Sequence, residues 1–477
     1  MSKEKGTRGK ELKKGVSVGT PFLYLALCLL LCPSSLWAGE TVRYRVYLHD
    51  KGGTTYSLDH PEEFLSKEAI DRRIRQGIAI DASDLPISPA YLDSLTDRGA
   101  TPVVTSKWLA TVVVSCTDSV GVDQLLSLSF VDSVKWVWKG DEMEKLPPKE
   151  SPADTLRYTP TEAKKASPYG YAETQIKMLN GIKLHKKGFQ GEGMRVAVVD
   201  AGFTNADRIS VFDSLRLLGT HNVVNPDHSV FVGDEHGTRV LSCLAADEPG
   251  WIRGTAPHAS YWLIKSEDNR TEYPVEEDYW VAAMEFADSV GVDVISASLG
   301  YFKYDVDYLS YAKDQLDGHT SFITRAASLV AAKGILLFCS AGNEGNGDWK
   351  TITVPADAEG ILTVGSVTEK GVRSVFSSYG PTADGRIKPD IVAMGSSCCV
   401  IDAWGHIRFA SGTSFSTPIV AGLGICLWQA CPHLTNQEII TLLKQVGSQA
   451  KHPDAELGYG IPDLFKAYKL GLKHAND

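Results

Sequence analysis

"MRVAVVD", residues 194–200, is a continuous apolar run that ends on an aspartate. Four similar runs follow along the chain: SYWLIK (260–265), VDVISAS (292–298), ILLFCS (335–340) and ILTVGS (361–366). Apolar runs without polar alternation are typical of strands that are buried on both faces. We therefore predict a sheet with both faces covered from about residue 170 onward.

Amphipathic stretches separate these strands and predict helices at 276–289, 319–333, 414–429 and 436–446. Strands that alternate with helices indicate an α/β fold with a parallel sheet and right-handed crossovers. Ligands of such sheets bind beyond the carboxyl ends of the strands. Polar residues at those ends are therefore the first candidates for a functional site.

The N-terminal part of the chain has a different pattern. VRYRVYLH (42–49), ATVVVSC (110–116) and FVDSVKWVW (130–138) predict strands, while 61–77, closed by Gly77, and 118–128 predict helices. The stretch after the last of these predicted strands, from about residue 140, is charged, rich in proline and without an apolar period, which predicts an exposed linker. We assign a small α+β, ferredoxin-like unit to 39–140, a linker to 141–168 and the α/β domain to 169–477.

Residues 1–38 have the order of a secretory signal: a basic start, the apolar run PFLYLALCLLLC and then small and polar residues. The apolar run is about a dozen residues long, short of the ~20 that span a bilayer. We expect cleavage and no membrane span afterwards, in a protein that is secreted, periplasmic or held at the cell surface. An uncleaved anchor or an amphipathic start is the alternative.

Composition excludes some partners. The chain of 477 residues has a formal charge of -10 and no long basic run beyond its first residues, which argues against nucleic-acid binding. Of its nine cysteines, Cys28 and Cys32 leave with the signal. Export permits disulfides among the others, but one sequence does not reveal their pairing. No CxxC or HxxxH pair is present, so no metal site is predicted.

Four polar residues meet the positional rule for a site. Asp200 ends a predicted strand, His236 and Ser414 each open an apolar helix, and Asn343 follows a buried strand. Taken singly, each is explained as a turn residue or a helix start. Together they form a set suited to acyl transfer at one edge of the sheet. Their order and the absence of G-x-S-x-G disfavour an α/β-hydrolase esterase.

At these residues the chain resembles the subtilisin-like serine proteases, the subtilases. VAVVDAG, HGT and GTSFSTP are similar to their three catalytic blocks, SASLG (296–300) to the substrate-binding strand and SAGNEG to the oxyanion segment. SVFSSYGPTADGRIKPDIVAMG (374–395) is long and specific to the family. The resemblance covers roughly residues 165–470, with the blocks in the family's order.

The resemblance implies a role for each candidate. Ser414 would be the nucleophile, His236 the general base and Asp200 the group that orients the imidazole. The Asn343 amide would bind the oxyanion, and Glu344 would lie near the primary side-chain pocket. Three consecutive residues would pair with the substrate backbone: Ser298, Leu299 and Gly300. Arg239, in place of the family's usual histidine, would raise the positive potential near His236.

Residues 39–140 resemble the prodomains of secreted subtilases, most closely those of Bacteroidetes. The sequence thus predicts a secreted serine endopeptidase made as a proenzyme, with protein or peptide substrates and its own prodomain as foldase and temporary inhibitor. A permanent accessory domain and a catalytically silent peptide-binding member are the alternatives. The compact stretch after His236 makes the family's calcium-binding loop doubtful, and a structural calcium ion is left open.

Overall fold

The computed structural model describes residues 41–117, 121–141 and 157–473. The predicted signal segment lies outside these ranges, as does the linker stretch 142–156. Within the described residues, no helix is long and apolar enough to cross a membrane. No group of three or more His, Cys, Asp or Glu side chains there could hold a metal ion. The seven cysteines in these ranges are all buried and unpaired.

The N-terminal part forms an antiparallel sheet with the strand order β2-β3-β1-β4. Its strands are β1 (Thr41–Leu48), β2 (Thr101–Ser106), β3 (Thr111–Thr117) and β4 (Val131–Gly140). Its helices are α1 (Lys67–Gln76), α2 (Pro89–Thr96) and α3 (Val122–Leu126), with short 3-10 turns at Pro61–Glu63 and Ala82–Asp84. The predicted α+β character is confirmed, whereas β2 and α2 were missed.

The predicted helix over 61–77 was wrong at its start. The α-helix begins only at Lys67, because the Ser66 side chain accepts a hydrogen bond from the Ala69 N–H and caps it. Its predicted end is confirmed, since Gly77 takes a left-handed conformation with φ of 67°. That conformation suits glycine, which has no Cβ to clash.

The second part is built on a seven-stranded parallel sheet with the order β13-β12-β11-β10-β5-β9-β6. The strands are β5 (Arg195–Asp200), β6 (Arg216–Asn222), β9 (Ser260–Lys265), β10 (Val294–Ala297), β11 (Leu336–Ser340), β12 (Leu362–Val367) and β13 (Ile391–Met394). Two small antiparallel ribbons pair β7 (Asp247–Glu248) with β8 (Ile252–Arg253) and β14 (Cys398–Ile401) with β15 (Ile407–Ala410). All five predicted strands are confirmed and lie side by side in the sheet. Their spatial order differs from their chain order, because β5 lies between β9 and β10.

Helices cover both faces of this sheet. They are α4 (Glu173–Met178), α5 (Gly181–His185), α6 (His236–Ala245), α7 (Val275–Ser289), α8 (Phe322–Ala332), α9 (Thr413–Ala430), α10 (Asn436–Gln445) and α11 (Leu464–Gly471). Short 3-10 turns lie at Ser210–Phe212, Asp307–Leu309 and Lys313–Gln315. The first sixteen residues of α9 are all buried. One helix thereby lies in the core and carries its N-terminus to the carboxyl edge of the sheet.

The antiparallel sheet packs on α7 through buried ion pairs. Arg45 of β1, fully buried, donates to both carboxylate oxygens of Asp278, at 2.7 and 2.6 Å, and to Glu277 at 3.2 Å. At the other end of α7, Arg72 and Arg73 both donate to Asp288. Three arginines of the N-terminal part are therefore paired with three carboxylates of α7.

Candidate active site

Asp200 and His236 lie in contact at the carboxyl edge of the sheet. Asp200 is the last residue of β5 and is fully buried, and its Oδ1 lies 2.7 Å from the His236 Nδ1. His236 is the first residue of α6, and the next residue, Gly237, has to be a glycine for the start of this helix to lie so close to Asp200 and Gly202. A Cβ on Gly237 would lie 2.4 Å from the Gly202 carbonyl oxygen, so any larger residue would push the imidazole away from Asp200.

The surroundings of His236 favour its protonated form. Burial alone would lower its pKa, but the charge and hydrogen bond of Asp200, with the charge of Asp234, raise it above the ordinary value. Arg239 opposes this effect, in the direction that the sequence predicted. Its guanidinium pairs with Glu235, one turn back on the same side of the helix. The imidazole is about one-third exposed (36%) and is therefore open to a ligand in the cleft.

Ser414 occupies the first turn of α9 and is nearly buried, at 7% exposure. Its hydroxyl lies 3.4 Å from the Ser298 carbonyl oxygen, and no hydrogen bond joins it to His236 among the described contacts. The ring of Phe415, the next residue, lies 6.1 Å from the imidazole centroid to centroid. The residue after the serine thus lies beside the imidazole, while the Ser414 hydroxyl is turned toward the segment that follows β10.

A proline explains why Ser298 and Ser414 are joined. Pro418 lies in the second turn of α9. Because it has no N–H, it leaves the Ser414 carbonyl without the usual helical partner. The Ser298 hydroxyl donates to that carbonyl at 3.0 Å instead. The predicted substrate-binding strand is thereby fastened to the turn that carries the serine.

Asn343 is held in one orientation by the start of the same helix. The Thr413 N–H and hydroxyl both donate to its Oδ1, at 2.8 and 3.0 Å. The amide nitrogen must then point the opposite way, and Asn343 is exposed. The sequence did not predict that Thr413 orients Asn343. A threonine beside a serine at a helix start indicates only a capping residue.

A cavity of about 250 Å³ brings most of the predicted residues together. Ser414 and Asn343 line it, as do three residues of the predicted strand: Ser298, Leu299 and Gly300. Glu344 also lines this cavity. Two further lining residues, Glu267 and Glu272, were missed because they follow β9 in a loop without a recognisable motif.

Comparisons with known proteins identify the family of both parts of the chain. Residues 191–460 match the model of the subtilase family, peptidase S8. Residues 43–153 match the peptidase S8 propeptide domain of Bacteroidota. The chain therefore belongs to the subtilase family, and its N-terminal part is a propeptide domain of that family. The resemblance inferred from the sequence is confirmed for both parts.

Several Bacillus-type proteases are relatives. The chain is 31% identical over 299 residues to serine protease AprX of Bacillus subtilis strain 168, and the alignment covers 57% of this chain and 64% of AprX. It is 27% identical over 301 residues to a thermostable alkaline protease of Halalkalibacterium halodurans, covering 63% of this chain and 71% of that protein. Subtilisin E of Bacillus subtilis is 28% identical over 275 residues, covering 57% of this chain and 64% of subtilisin E. The chain thus spans slightly less than two thirds of AprX.

Proposed function

We propose that this protein is a secreted serine endopeptidase, made as a proenzyme, that hydrolyses peptide bonds through an acyl-enzyme. The observation that carries the proposal is the 2.7 Å contact between Asp200 and His236 beside a cavity that Ser414 and Asn343 both line. An imidazole oriented by a buried carboxylate, a hydroxyl and an amide donor are the parts that acyl transfer requires.

Ser414 is the nucleophile in this proposal. Its hydroxyl turns from Ser298 toward the His236 Nε2, gives up its proton there and attacks the substrate carbonyl carbon. The imidazolium that forms is stabilised by Asp200 and then protonates the leaving amine as the peptide C–N bond breaks. Water, deprotonated by the same imidazole, hydrolyses the ester and regenerates the Ser414 hydroxyl.

The oxyanion of the tetrahedral intermediate binds to two donors. One is the amide nitrogen of Asn343, whose side chain is oriented by the hydrogen bonds from Thr413 to its Oδ1. The other is the backbone N–H of Ser414, one of the unpaired donors at the positive end of α9. The backbone of Ser298, Leu299 and Gly300 pairs with an extended substrate as an added strand, so broad sequence tolerance is expected.

The N-terminal part acts as foldase and temporary inhibitor in this proposal, with a domain range of 39–140 and processing within the 141–168 linker ahead of the peptidase domain, 169–477. The buried contacts of Arg45, Arg72 and Arg73 with α7 support a templating role, because a parallel sheet with distant strand pairs folds slowly. A signal at 1–38 would direct the chain to the periplasm, the medium or the cell surface.

The decisive experiment is labelling with a serine-directed fluorophosphonate, in parallel with casein hydrolysis. We expect both in the secreted wild type and neither in Ser414→Ala. If the wild type is folded and processed but is not labelled, the result favours a catalytically silent family member that only binds peptides. N-terminal sequencing tests maturation: the same processed start in wild type and Ser414→Ala contradicts self-cleavage.

A further inference from the structure

The cavity beside Ser414 is lined by acidic side chains. Glu267 and Glu272, in the loop after β9, line it, and so does Glu344, which follows Asn343 in the chain. Among the described residues, no lysine, arginine or histidine lines it. We call the cavity formed around these three carboxyl groups the acidic pocket.

Nearby cations are engaged elsewhere. Arg270 donates to both carboxylate oxygens of Asp268, at 2.8 and 2.7 Å. The charge of Lys265 acts on Glu267 and Asp268, but its side chain does not line the pocket. Neither Glu272 nor Glu344 has an ion-pair partner in the part of the chain that the structure describes. The pocket therefore gathers carboxyl groups without a cation of the described chain in direct contact with Glu272 or Glu344.

A buried hydroxyl also faces this space without a partner. Thr353 is 3% exposed, lines the pocket, and its Oγ1 has no hydrogen-bond partner. A Cβ built on Gly300 would lie 2.4 Å from that oxygen, and one built on Gly342 would lie 3.1 Å away, so the hydroxyl is directed between two glycines of the pocket wall. Buried polar groups without partners are rare in folded proteins, which points to a ligand atom at this place.

The electrostatics of the pocket support the same conclusion. Burial, with the charges of Glu267 and Asp305, raises the pKa of Glu272 to about 7. Burial likewise raises the pKa of Glu267, even though the Tyr301 hydroxyl donates to it. A bound cation would favour ionisation of both groups and relieve their mutual repulsion.

The remaining walls suit the stem of a long side chain. Leu299 and Phe302 are apolar and partly exposed in the pocket, and long basic side chains bury their methylenes on such surfaces. The volume of about 250 Å³ lies below the range of about 300–1,000 Å³ typical of pockets for drug-sized ligands. The pocket therefore fits one side chain better than a whole small molecule.

We propose that the acidic pocket binds a lysine or arginine side chain of the substrate, on the N-terminal side of the scissile bond. This proposal rests on the proposed function, because the substrate carbonyl must reach Ser414. It adds a preference for basic residues to the broad backbone recognition by Ser298–Gly300. The three carboxyl groups and the Thr353 hydroxyl supply the acceptors for the ammonium or guanidinium.

The test compares fluorogenic peptides that differ only by lysine or its neutral isostere norleucine, at each of the four positions before the scissile bond. With the processed wild-type enzyme, we expect kcat/KM to be about 10- to 100-fold higher for the lysine peptide than for the norleucine peptide at one position at least. This magnitude corresponds to the contribution of hydrogen bonds to a charged group. Glu272→Gln and Glu344→Gln should reduce this ratio, and Glu272→Lys should invert it. Glu369→Gln, at an exposed glutamate outside the pocket lining, is the matched control and should leave it unchanged.

Fluorophosphonate labelling of the same samples separates the two proposals. A labelled wild type that cleaves norleucine peptides as fast as lysine peptides at all four positions would overturn the acidic pocket and leave the protease intact. The same holds if the preference survives in both glutamine variants. Absence of labelling would overturn the proposed function, and the substrate preference with it.

Discussion

The α7 surface beneath the propeptide domain and the acidic pocket beside Ser414 both contain several carboxyl groups. The two regions differ in whether these groups are paired with a cation of the chain. On α7, Asp278 and Asp288 each receive an arginine from the N-terminal part. In the pocket, Glu272 and Glu344 receive none in the described structure. A buried charge is expensive unless it is paired. The paired surface is therefore already satisfied by the chain itself, and the unpaired one is suited to a partner from outside.

The helix dipole sharpens this difference. Asp278 lies in the first turn of α7, where the positive end of the helix favours a carboxylate. Asp288 lies near the opposite end, where the dipole disfavours one, and it is the carboxylate that Arg72 and Arg73 both contact. The second arginine thus offsets an unfavourable position, which ties the propeptide domain to both ends of one helix.

The largest effect is expected from Ser414→Ala, which removes the chemistry of the cleft and leaves the paired surface intact. We expect kcat to fall by about 10⁶, the loss measured for the nucleophile of subtilisin itself. The chain should accumulate unprocessed and folded, with casein hydrolysis as the activity assay and circular dichroism as the check on folding. Residual processing at the wild-type rate would assign maturation to another protease.

Asp200→Asn is expected to lower kcat by about 10⁴, because the amide would hold the imidazole in the wrong tautomer. It also shifts the pH profile. Asp200 raises the His236 pKa in the wild type, so activity, which needs the neutral imidazole, should fall as the pH drops through a value above the usual 6.5. Without that carboxylate the acid limb should move to lower pH. An unmoved limb in kcat/KM profiles would show that another group controls it.

Asn343→Ala is expected to reduce kcat by about 10²–10³ with little change in KM, a magnitude known from subtilisin, a member of the same family. The reason is that the amide binds only the charge that develops in the transition state. Steady-state kinetics on one peptide measures this effect. A matching rise in KM would instead indicate ground-state binding.

Breaking the paired surface should act on stability instead. In the Ser414→Ala background, which keeps the chain whole, Asp288→Ala leaves Arg72 buried without its carboxylate partner and leaves Arg73 with Asp84 alone. We expect a loss of about 3–5 kcal/mol in the free energy of unfolding, read from urea denaturation. Asp71→Ala removes an exposed carboxylate that pairs with Lys67 on the same helix and should cost about 1 kcal/mol at most. Equal losses in the two variants would contradict the docking role of Asp288.

The smallest effect concerns acid stability. Burial would raise the pKa of Asp84, but its hydrogen bonds and charge contacts with Arg73, and with Lys333 across the interface, lower it to about 2. Because its folded pKa is depressed, Asp84 contributes stability above its ordinary value near 3.8 and loses it as the pH falls toward 2. Urea titrations between pH 5 and 2 measure this effect. The free energy of unfolding of the uncut chain should fall less steeply with decreasing pH in the Asp84→Asn variant than in the chain that keeps Asp84.

Much of the peptidase domain could be predicted from its residues. The strands RVAVVD and LLFCS are apolar except at their ends, a pattern that favours burial on both faces of a sheet. The edge strand β6, RLLGTHN, was missed because most of it is exposed and its apolar residues do not form a long run. The cap at Ser66 was missed because the acidic and apolar residues before it continue a helical pattern that the cap interrupts.

By itself the sequence determined the order of the elements and the four polar residues at strand ends and helix starts, since local periodicity and position along a strand are properties of consecutive residues. Only the tertiary structure placed Asp200 against His236, fastened Ser298 to the serine turn and gathered Glu267, Glu272 and Glu344 around one cavity. Those contacts join residues that are far apart in the chain. Their geometry is set by the packing of the sheet, which no local pattern encodes.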